Sequence, residues 1–519
     1  MFTRSPRTPN VKSIKHLPLS NSVCSLARAA APRVPRPPIP TLKLPSKFFV
    51  PENLPQGDKY KTHKSQYHVS SANNMDTQIL LVDPQRLGNV AFDNVSQDWI
   101  DSWDIKYSEG SDFGSLQRAA RELVETDVPV AFPTETVYGL GADATRSSAV
   151  KAIFAAKGRP ADNPLIVHFH SLSQLRALLH GKDEKQLSDN GALVDPVPEI
   201  YKPVIERFWP GPITIILPAP HNSVLAPEVT AGLTTFGARM PRSILALSLL
   251  RLCGCPLAAP SANVSTRPSP TAAEHVLDDL QGRISTIIDG GPCEVGVEST
   301  VVDGLSTPPS ILRPGGITVE QLRQCPGWES VVVGYKDKQQ GGTEKPRAPG
   351  MKYRHYSPKA EVFLFEAGAG RPVEAEVLTK RRVGIIRTKS WAPALGLPAQ
   401  KVTSASTNDE ARCEIADRPG SSSSEARPGH SSSNLLRSLM QHRIPHAEEY
   451  AFQDSAINLW EVNLGANTED VARGIFSALR ELDRKGVETI FVEGIDDKSG
   501  DDIAAAVMNR LRKAAEVRN

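Results

Sequence analysis

The sequence predicts an α/β protein: a loop-rich block of strands and helices over residues 112–322, then a smaller parallel, Rossmann-like unit from residue 361 to the end. Three observations predict it. Within 112–322, apolar runs of strand length alternate with amphipathic helical segments, and Gly or Pro marks most junctions. Toward the C-terminus the order is strand, helix, strand, helix, the alternation that builds a parallel sheet. A length of 519 residues allows two or three domains, each with a core of its own.

The elements follow in order. LQRAARELVE, residues 116–125, sets Leu116, Ala119, Ala120, Leu123 and Val124 on one helix face. PVAFPTETVYGLGADA (129–144) is a strand broken by Pro133 and followed by a glycine-marked turn. SAVKAIFAAK (148–157) is a helix ending at Lys157. Leu165-Ile166-Val167 is a short buried strand behind two prolines, Pro160 and Pro164. ITIIL (213–217), PLAAP (256–260), STIID (285–289) and STVVD (299–303) are further strands. Residues 323–360, with QQGG, several prolines and the tract GMKYRHYSP, read as a linker. In the second unit VFLF (362–365) and RVGIIRT (382–388) are strands. Residues 400–435 are Ser-rich and predicted disordered, and order returns with a helix at 470–486. A strand at 487–495 and a closing helix at 502–516 complete the chain.

Composition narrows the function classes. No apolar run reaches the length of a membrane span, so a soluble protein without a membrane partner is expected. Cys24, Cys253, Cys255, Cys293, Cys325 and Cys413 make no zinc-type pair of pairs, and Cys253-Gly-Cys255 is expected in the core behind the apolar run 244–252. The net charge of +2 is unevenly placed: residues 1–51 hold nine Lys or Arg and no acid, leaving the rest near −7. An acidic body argues against a broad electrostatic grip on nucleic acid. The basic, Ser- and Pro-rich residues 1–74 lack apolar periodicity and are expected to be disordered, with the composition of a mitochondrial targeting segment. Met75 would serve as an alternative start, giving cytoplasmic and mitochondrial forms. Residues 75–111 read as an N-terminal extension of the main block.

Polar clusters fall where strands of the main block should end: Pro133 to Gly139, Lys157 to His168, Thr235 to Pro241, Pro260 to Asn263, Glu298 to Thr300 and Leu312 to Gly315. Ligands of α/β sheets sit in crevices beyond strand ends. Lys157, Arg159, Arg239 and Arg313 would suit phosphates and a carboxylate, arginine as a planar fork and lysine as a point charge. Thr136, Thr235, Ser261 and Asn263 would orient a ligand, and His168 could donate to one. There is no P-loop, no H-E-x-x-H, no G-x-S-x-G and no G-x-G-x-x-G, so a nucleotide would need another cradle.

Taken together, these residues resemble the YrdC-like domain of threonylcarbamoyl-AMP synthases. Lys157-x-Arg159 and Ser261-x-Asn263 match its K-x-R and S-x-N signature, and PTETVYGLG, NPLIVH, FWPGPIT, RMP, APSAN, ESTVVD and ILRPG occur in its order. The C-terminal unit and the GMKYRHYSP linker resemble the longer, two-domain branch, a YrdC-like twisted mixed sheet followed by a Rossmann-like domain. The resemblance implies formation of threonylcarbamoyl-adenylate and pyrophosphate from L-threonine, bicarbonate or CO2 and ATP. The product would pass to a separate transferase complex that modifies the adenosine beside the anticodon of tRNAs reading codons beginning with A.

The resemblance also implies site roles. Lys157, Arg159, Ser261 and Asn263 would form the catalytic signature, with Lys157 and Asn263 facing phosphates or carbamate. Thr136, His168, Arg239 and Ser299 would hold threonine, with the Ala259 backbone beside them. Arg159, Asn163, Thr235, Ser261, Ser269 and Arg313 would line the ATP site, and Tyr356 would reach back over the nucleotide as part of a lid. Mg²⁺ would bridge phosphate oxygens and use few protein ligands. One departure is Ser265-Thr266, where the family usually has Ser-Gly. Two other readings share the fold: an RNA-binding module, for which weak RNA binding is the expectation, and a carbamoyl-transfer domain of the hydrogenase-maturation type. The latter would bring zinc-type cysteine pairs and further domains.

Overall fold

The structure is a computed structural model and describes residues 75–92, 103–181, 194–335, 355–402, 444–452, 457–497 and 502–518. The proposed targeting segment, Met75's upstream neighbours, and the Ser-rich run from residue 403 onward lie outside the described residues.

The first unit is built on an eleven-stranded mixed sheet. The stretch expected to be one strand broken at Pro133 and then a glycine-marked turn is instead a hairpin, third and fourth in the sheet order: Val130–Pro133 pairs antiparallel with Tyr138–Asp143, in register Val130 to Gly141. Thr134 closes the turn, its hydroxyl donating to the Val137 carbonyl at 2.7 Å. Ile166–His168 runs parallel to Thr235–Arg239, which pairs antiparallel with Ile213–Pro218. Thr300–Asp303 lies parallel to Ile213–Pro218 and antiparallel to Ser310–Arg313. Of PLAAP, only Leu257–Ala258 is strand; it bridges Tyr138–Asp143 and Ile166–His168.

The sheet continues into the N-terminal extension and past residue 322. Gln78–Leu81 adds a parallel edge strand beside Thr286–Asp289, and Val332–Val333 adds the opposite edge beside Ser310 and Ile311. The helix Ser111–Glu125 buries Leu116, Ala119, Ala120 and Leu123, but Val124 is 45% exposed, against expectation. At 100° per residue, Val124 falls about 80° from Leu116, past the edge of the buried stripe. Cys253 is buried and Cys255 half-buried, both as free thiols, and burial pushes the Cys255 thiol up to about 12. No helix among the described residues is long and apolar enough to cross a membrane.

The second unit has a seven-stranded sheet. Five strands are parallel, in the order Asn458–Asn463, Arg382–Arg387, Thr489–Glu493, Glu361–Phe365, Val517–Arg518. Ala399–Lys401 and Glu448–Phe452 extend one edge antiparallel, so the expected parallel sheet is mixed there. The strands at 448 and 458 were not expected, because charge interrupts their apolar pattern. Glu461 is buried mid-strand, held by Arg387 at 3.0 Å and by the Ala394 amide at 2.7 Å. The helices Thr468–Arg484 and Asp502–Ala514 pack on one face of this sheet.

These two helices also dock onto the first unit, and the contact is polar and buried. Arg480 pairs with Asp279 at 2.8 Å, and Thr271 and Ser477 share a hydroxyl bond at 2.8 Å. Arg510 pairs with Glu298 at 3.0 Å. Removing one partner of such a pair strands a charge, which makes the docking specific as well as tight.

Candidate functional site

Lys157 ends the helix Ser147–Lys157, and Gly158 caps it in the left-handed conformation at φ 58°. That turn sends Arg159 into the proline loop rather than onward along a helix. Lys157 is 1% exposed. Its ammonium donates to the main-chain carbonyls of Ser261 and Asn263. The two signature pairs are therefore one hydrogen-bonded unit, in which lysine pins the S-x-N turn. The Asn263 amide closes that turn by donating to the carbonyls of Val264 at 2.8 Å and Arg267 at 3.0 Å. Ser261 bridges Gly139, tying the turn to the central hairpin. Arg159 holds the following loop through the carbonyls of Asn163 at 3.2 Å and Pro164 at 2.9 Å.

These residues surround a cavity of about 70 Å³. Lys157, Arg159, Ser261, Asn263, Thr136, His168, Arg239, Ala259, Ser299, Ser269, Arg313 and Tyr356 all line it. Two predicted site residues do not. Asn163 is buried behind Arg159, and Thr235 is a half-buried strand-start residue opposite Pro218. Asn163 reaches the cavity wall only through the carbonyl that Arg159 holds.

Five basic side chains line the cavity, namely Lys157, Arg159, Arg239, Arg267 and Arg313, against one carboxylate, Glu298. For Lys157, Arg159 and Arg313 the cost of desolvation is visible in their acidity. Desolvation, and then the neighbouring Arg159, drives the Lys157 ammonium well below the ordinary lysine range. Desolvation and Arg313 bring Arg159 down to about 10. A site that strains to hold cations dry is poised for an anion. His168 is lowered to about 3 by desolvation and the Arg239 charge, so its imidazole is neutral.

Several polar atoms on the walls are buried and unpartnered: His168 Nδ1, Ser265 Oγ, Arg267 Nε and His355 Nε2. Buried polar groups normally find partners, and a cluster of exceptions at one cavity marks places for a ligand to fill.

Sequence reasoning missed several groups, Arg267 on the cavity wall among them. Glu135 takes the Arg239 guanidinium at 2.6 Å, while Arg239 also donates to Thr136 Oγ1 at 3.0 Å. Glu298 accepts from Ser269 at 2.5 Å and from Arg510. Burial pushes the Glu298 carboxyl up, but Arg510, Arg313 and the Ser269 bond outweigh it and hold the carboxyl below its usual range. His355 lines the cavity beside Tyr356. Glu135 and Glu298 lie inside quoted motifs and could have been flagged as counterions to the predicted arginines. Nothing local flags Arg510, which lies 212 residues from Glu298.

Tyr356 lies over the cavity, buried at φ 67°. Its ring packs on Phe476 at 5.2 Å between centroids, with the Arg510 guanidinium 5.9 Å away. The next residue is anchored by its amide, Ser357 N donating to the Thr266 carbonyl at 2.8 Å.

A mixed α/β sheet with a dry, cation-lined cavity at its strand ends, closed by a second α/β unit, defines a class of enzymes that handle anionic substrates away from water. Comparison with known proteins specifies the class. Residues 122–315 match the Sua5, YciO and YrdC family model, described under telomere recombination, and residues 317–516 match the C-terminal domain of threonylcarbamoyl-AMP synthase. The Schizosaccharomyces pombe threonylcarbamoyl-AMP synthase is 40% identical over 461 residues, covering 85% of this chain and 98% of the yeast protein. The Bacillus subtilis threonylcarbamoyl-AMP synthase is 40% identical over 406 residues, covering 77% and 92%. The crystal structure of Pyrococcus abyssi Sua5 complexed with L-threonine superposes with a TM-score of 0.57 at 33% identity, covering 85% of this chain and all of that one. The chain belongs to the threonylcarbamoyl-AMP synthase family, in its two-domain form.

Proposed function

We propose that this enzyme forms L-threonylcarbamoyladenylate and pyrophosphate from L-threonine, bicarbonate or CO2 and ATP. The observation that carries the reading is the cavity: five cations, of which Lys157, Arg239 and Arg313 are buried and Arg159 and Arg267 half-buried, and one carboxylate on the walls, with the K-x-R and S-x-N pairs joined through Lys157.

The amine of threonine adds to CO2 with loss of a proton, giving a carbamate. A carbamate oxygen then attacks the α-phosphorus, and the bond to pyrophosphate breaks. Neither step needs a protein nucleophile, so the chain contributes position and charge. Thr136, His168, Ser299 and Arg239 would hold threonine beside the Ala259 backbone. The neutral His168 would offer its unpartnered ring nitrogen without adding charge. Arg239 shares its charge with Glu135, which would fix its fork while leaving donors for a carboxylate. Arg159, Arg313, Ser261 and Ser269 would line the nucleotide side. Lys157 would keep the S-x-N turn in place and its charge near the phosphates.

The one carboxylate on the walls, Glu298, is already engaged by Ser269 and Arg510. These donors suit a Mg²⁺ that arrives on the triphosphate better than a resident ion. The product would pass to a transferase acting on tRNA.

A cavity of about 70 Å³ is too small for a nucleotide. His355 and Tyr356 would therefore swing out to admit ATP and close again over the labile carbamate and adenylate. A second solved chain supports attention to this pair: P. abyssi Sua5 with an adjacent histidine and tyrosine replaced by alanine, at a TM-score of 0.56. His355-Tyr356 is the one His-Tyr dipeptide in this sequence.

The test is detection of the adenylate by mass spectrometry in reactions omitting threonine, bicarbonate or ATP in turn. Product should require all three. Tyr356→Ala should keep the fold and lose adenylate formation. Unchanged product from that variant would reject the lid.

A further inference from the structure

The second unit carries a crevice of its own, independent of the synthase cavity. Its position follows from topology. The chain leaves Glu361–Phe365 and crosses Thr489–Glu493 to enter Arg382–Arg387. It leaves Thr489–Glu493 in the opposite direction, crossing Glu361–Phe365 to enter Val517–Arg518. The two connections lie on opposite faces. Val377 of the first packs with Val383 and Phe491, whereas Val507 and Leu511 of the second pack with Leu364 and Val492. Adjacent strands whose connections diverge in this way open a crevice at their carboxyl ends, where doubly wound sheets bind ligands.

A cavity of about 1050 Å³ occupies that place. Residues following three parallel strands line it, including Phe365, Arg371, Lys389, Trp391, Glu493 and Ile495. After the first strand comes Gly368-Ala369-Gly370, and a Cβ on either glycine would meet nothing within 4 Å, so a ligand could approach the backbone closely there.

The charges separate into used and unused, and the exposed carboxylate Asp496 on the wall belongs to the first group. Glu366 is neutralised by a two-point pair with Arg512, each contact 2.8 Å. Glu493 accepts from the backbone amides of Thr388 at 2.7 Å, Trp391 at 3.1 Å and Ser390. Arg371 and Lys389 form no ion pair among the described residues, and both are exposed on the wall. Phe365, Trp391, Ala392 and Ile495 add apolar wall beyond what an inorganic anion needs.

We propose that this crevice binds a free nucleoside phosphate, with Arg371, Lys389 and the Gly368–Gly370 backbone taking the phosphate and the apolar wall taking the nucleoside. The ligand class rests on charge, topology and volume alone and does not depend on the synthase reading.

The test is equilibrium dialysis of the full chain against radiolabelled AMP, with inorganic phosphate as a second probe. The double variant Arg371→Glu, Lys389→Glu should bind one AMP fewer per chain than wild type, with that site weakened at least about tenfold. Pyrophosphate release and circular dichroism should be unchanged, since both side chains are exposed and remote from the synthase cavity. No AMP bound by wild type, or equal AMP binding by wild type and the double variant, would overturn the proposal. Inorganic phosphate that binds the crevice as tightly as AMP would overturn its nucleoside half.

Discussion

The cavity over Lys157 and the crevice over Arg371 differ most in what surrounds their cations. In the first, five basic side chains line the wall, three of them buried and two half-buried, and wall atoms such as His168 Nδ1 and His355 Nε2 are left without partners. In the second, the two free cations are exposed, and the buried acid Glu493 is fully engaged by backbone amides. A dehydrated charge interacts strongly and without reorganisation, which suits stabilising a reaction. A hydrated one suits reversible, salt-sensitive binding. The dry cavity owes its dryness to the second unit, because Arg510 and Phe476 roof it through Glu298 and Tyr356.

The largest break in this contrast should come from Arg510. Arg510→Met leaves Glu298 buried without its cation, at a cost of about 3–5 kcal/mol. Urea unfolding should show that loss, and the KM for ATP should rise. Arg510→Met combined with Glu298→Gln should recover part of the stability, because the stranded charge is gone. Equal losses from the single and double variants would show that the pair is not coupled.

Acid should act on the dry cavity next. Burial, and then arginine neighbours, lower His168 and His355 to about 3 and His275 to about 2. The unfolded chain therefore binds more protons than the native one below about pH 6.5. Their contribution is complete above that pH and is lost as pH falls toward 3, by up to about 1.4 kcal/mol per imidazole per pH unit. Urea midpoints at pH 7.5, 6 and 5 should decline steadily, and the Arg371→Glu, Lys389→Glu variant should follow the same curve. A midpoint independent of pH would contradict the buried, neutral assignment.

The smallest effect concerns the lid anchor. Thr266 sits at φ 79°, where glycine is favoured, and its carbonyl holds Ser357. Glycine would adopt this backbone conformation without strain. Thr266→Gly should stabilise the protein by up to about 1 kcal/mol, read as a small rise in Tm. A fall in Tm would mean that the threonine side chain contributes more than its backbone strain costs.

What was legible in the sequence was local. Lys157, Arg159, Ser261 and Asn263 could be read because each sits at a strand or helix end marked by Pro or Gly, and all four line one cavity. The order of the cavity clusters along the chain was legible for the same reason. Three things were hidden. Glu298 and Arg510 meet across two units, and no spacing in one segment encodes a pairing 212 residues apart. Strands with a buried, paired charge such as Glu461 break the apolar pattern that reveals strands. Lys157 looked like a phosphate ligand, whereas its ammonium is first of all the bolt that joins the two signature pairs.

Activation of threonine carbamate with ATP in this lysine-bolted cavity is tested by pyrophosphate release from wild type and from Lys157→Met, compared in protein of matching circular dichroism. Release should require both threonine and bicarbonate in wild type and fall at least about a hundredfold in the variant. Release that continues without threonine, or at wild-type rate in Lys157→Met, would rule that role out.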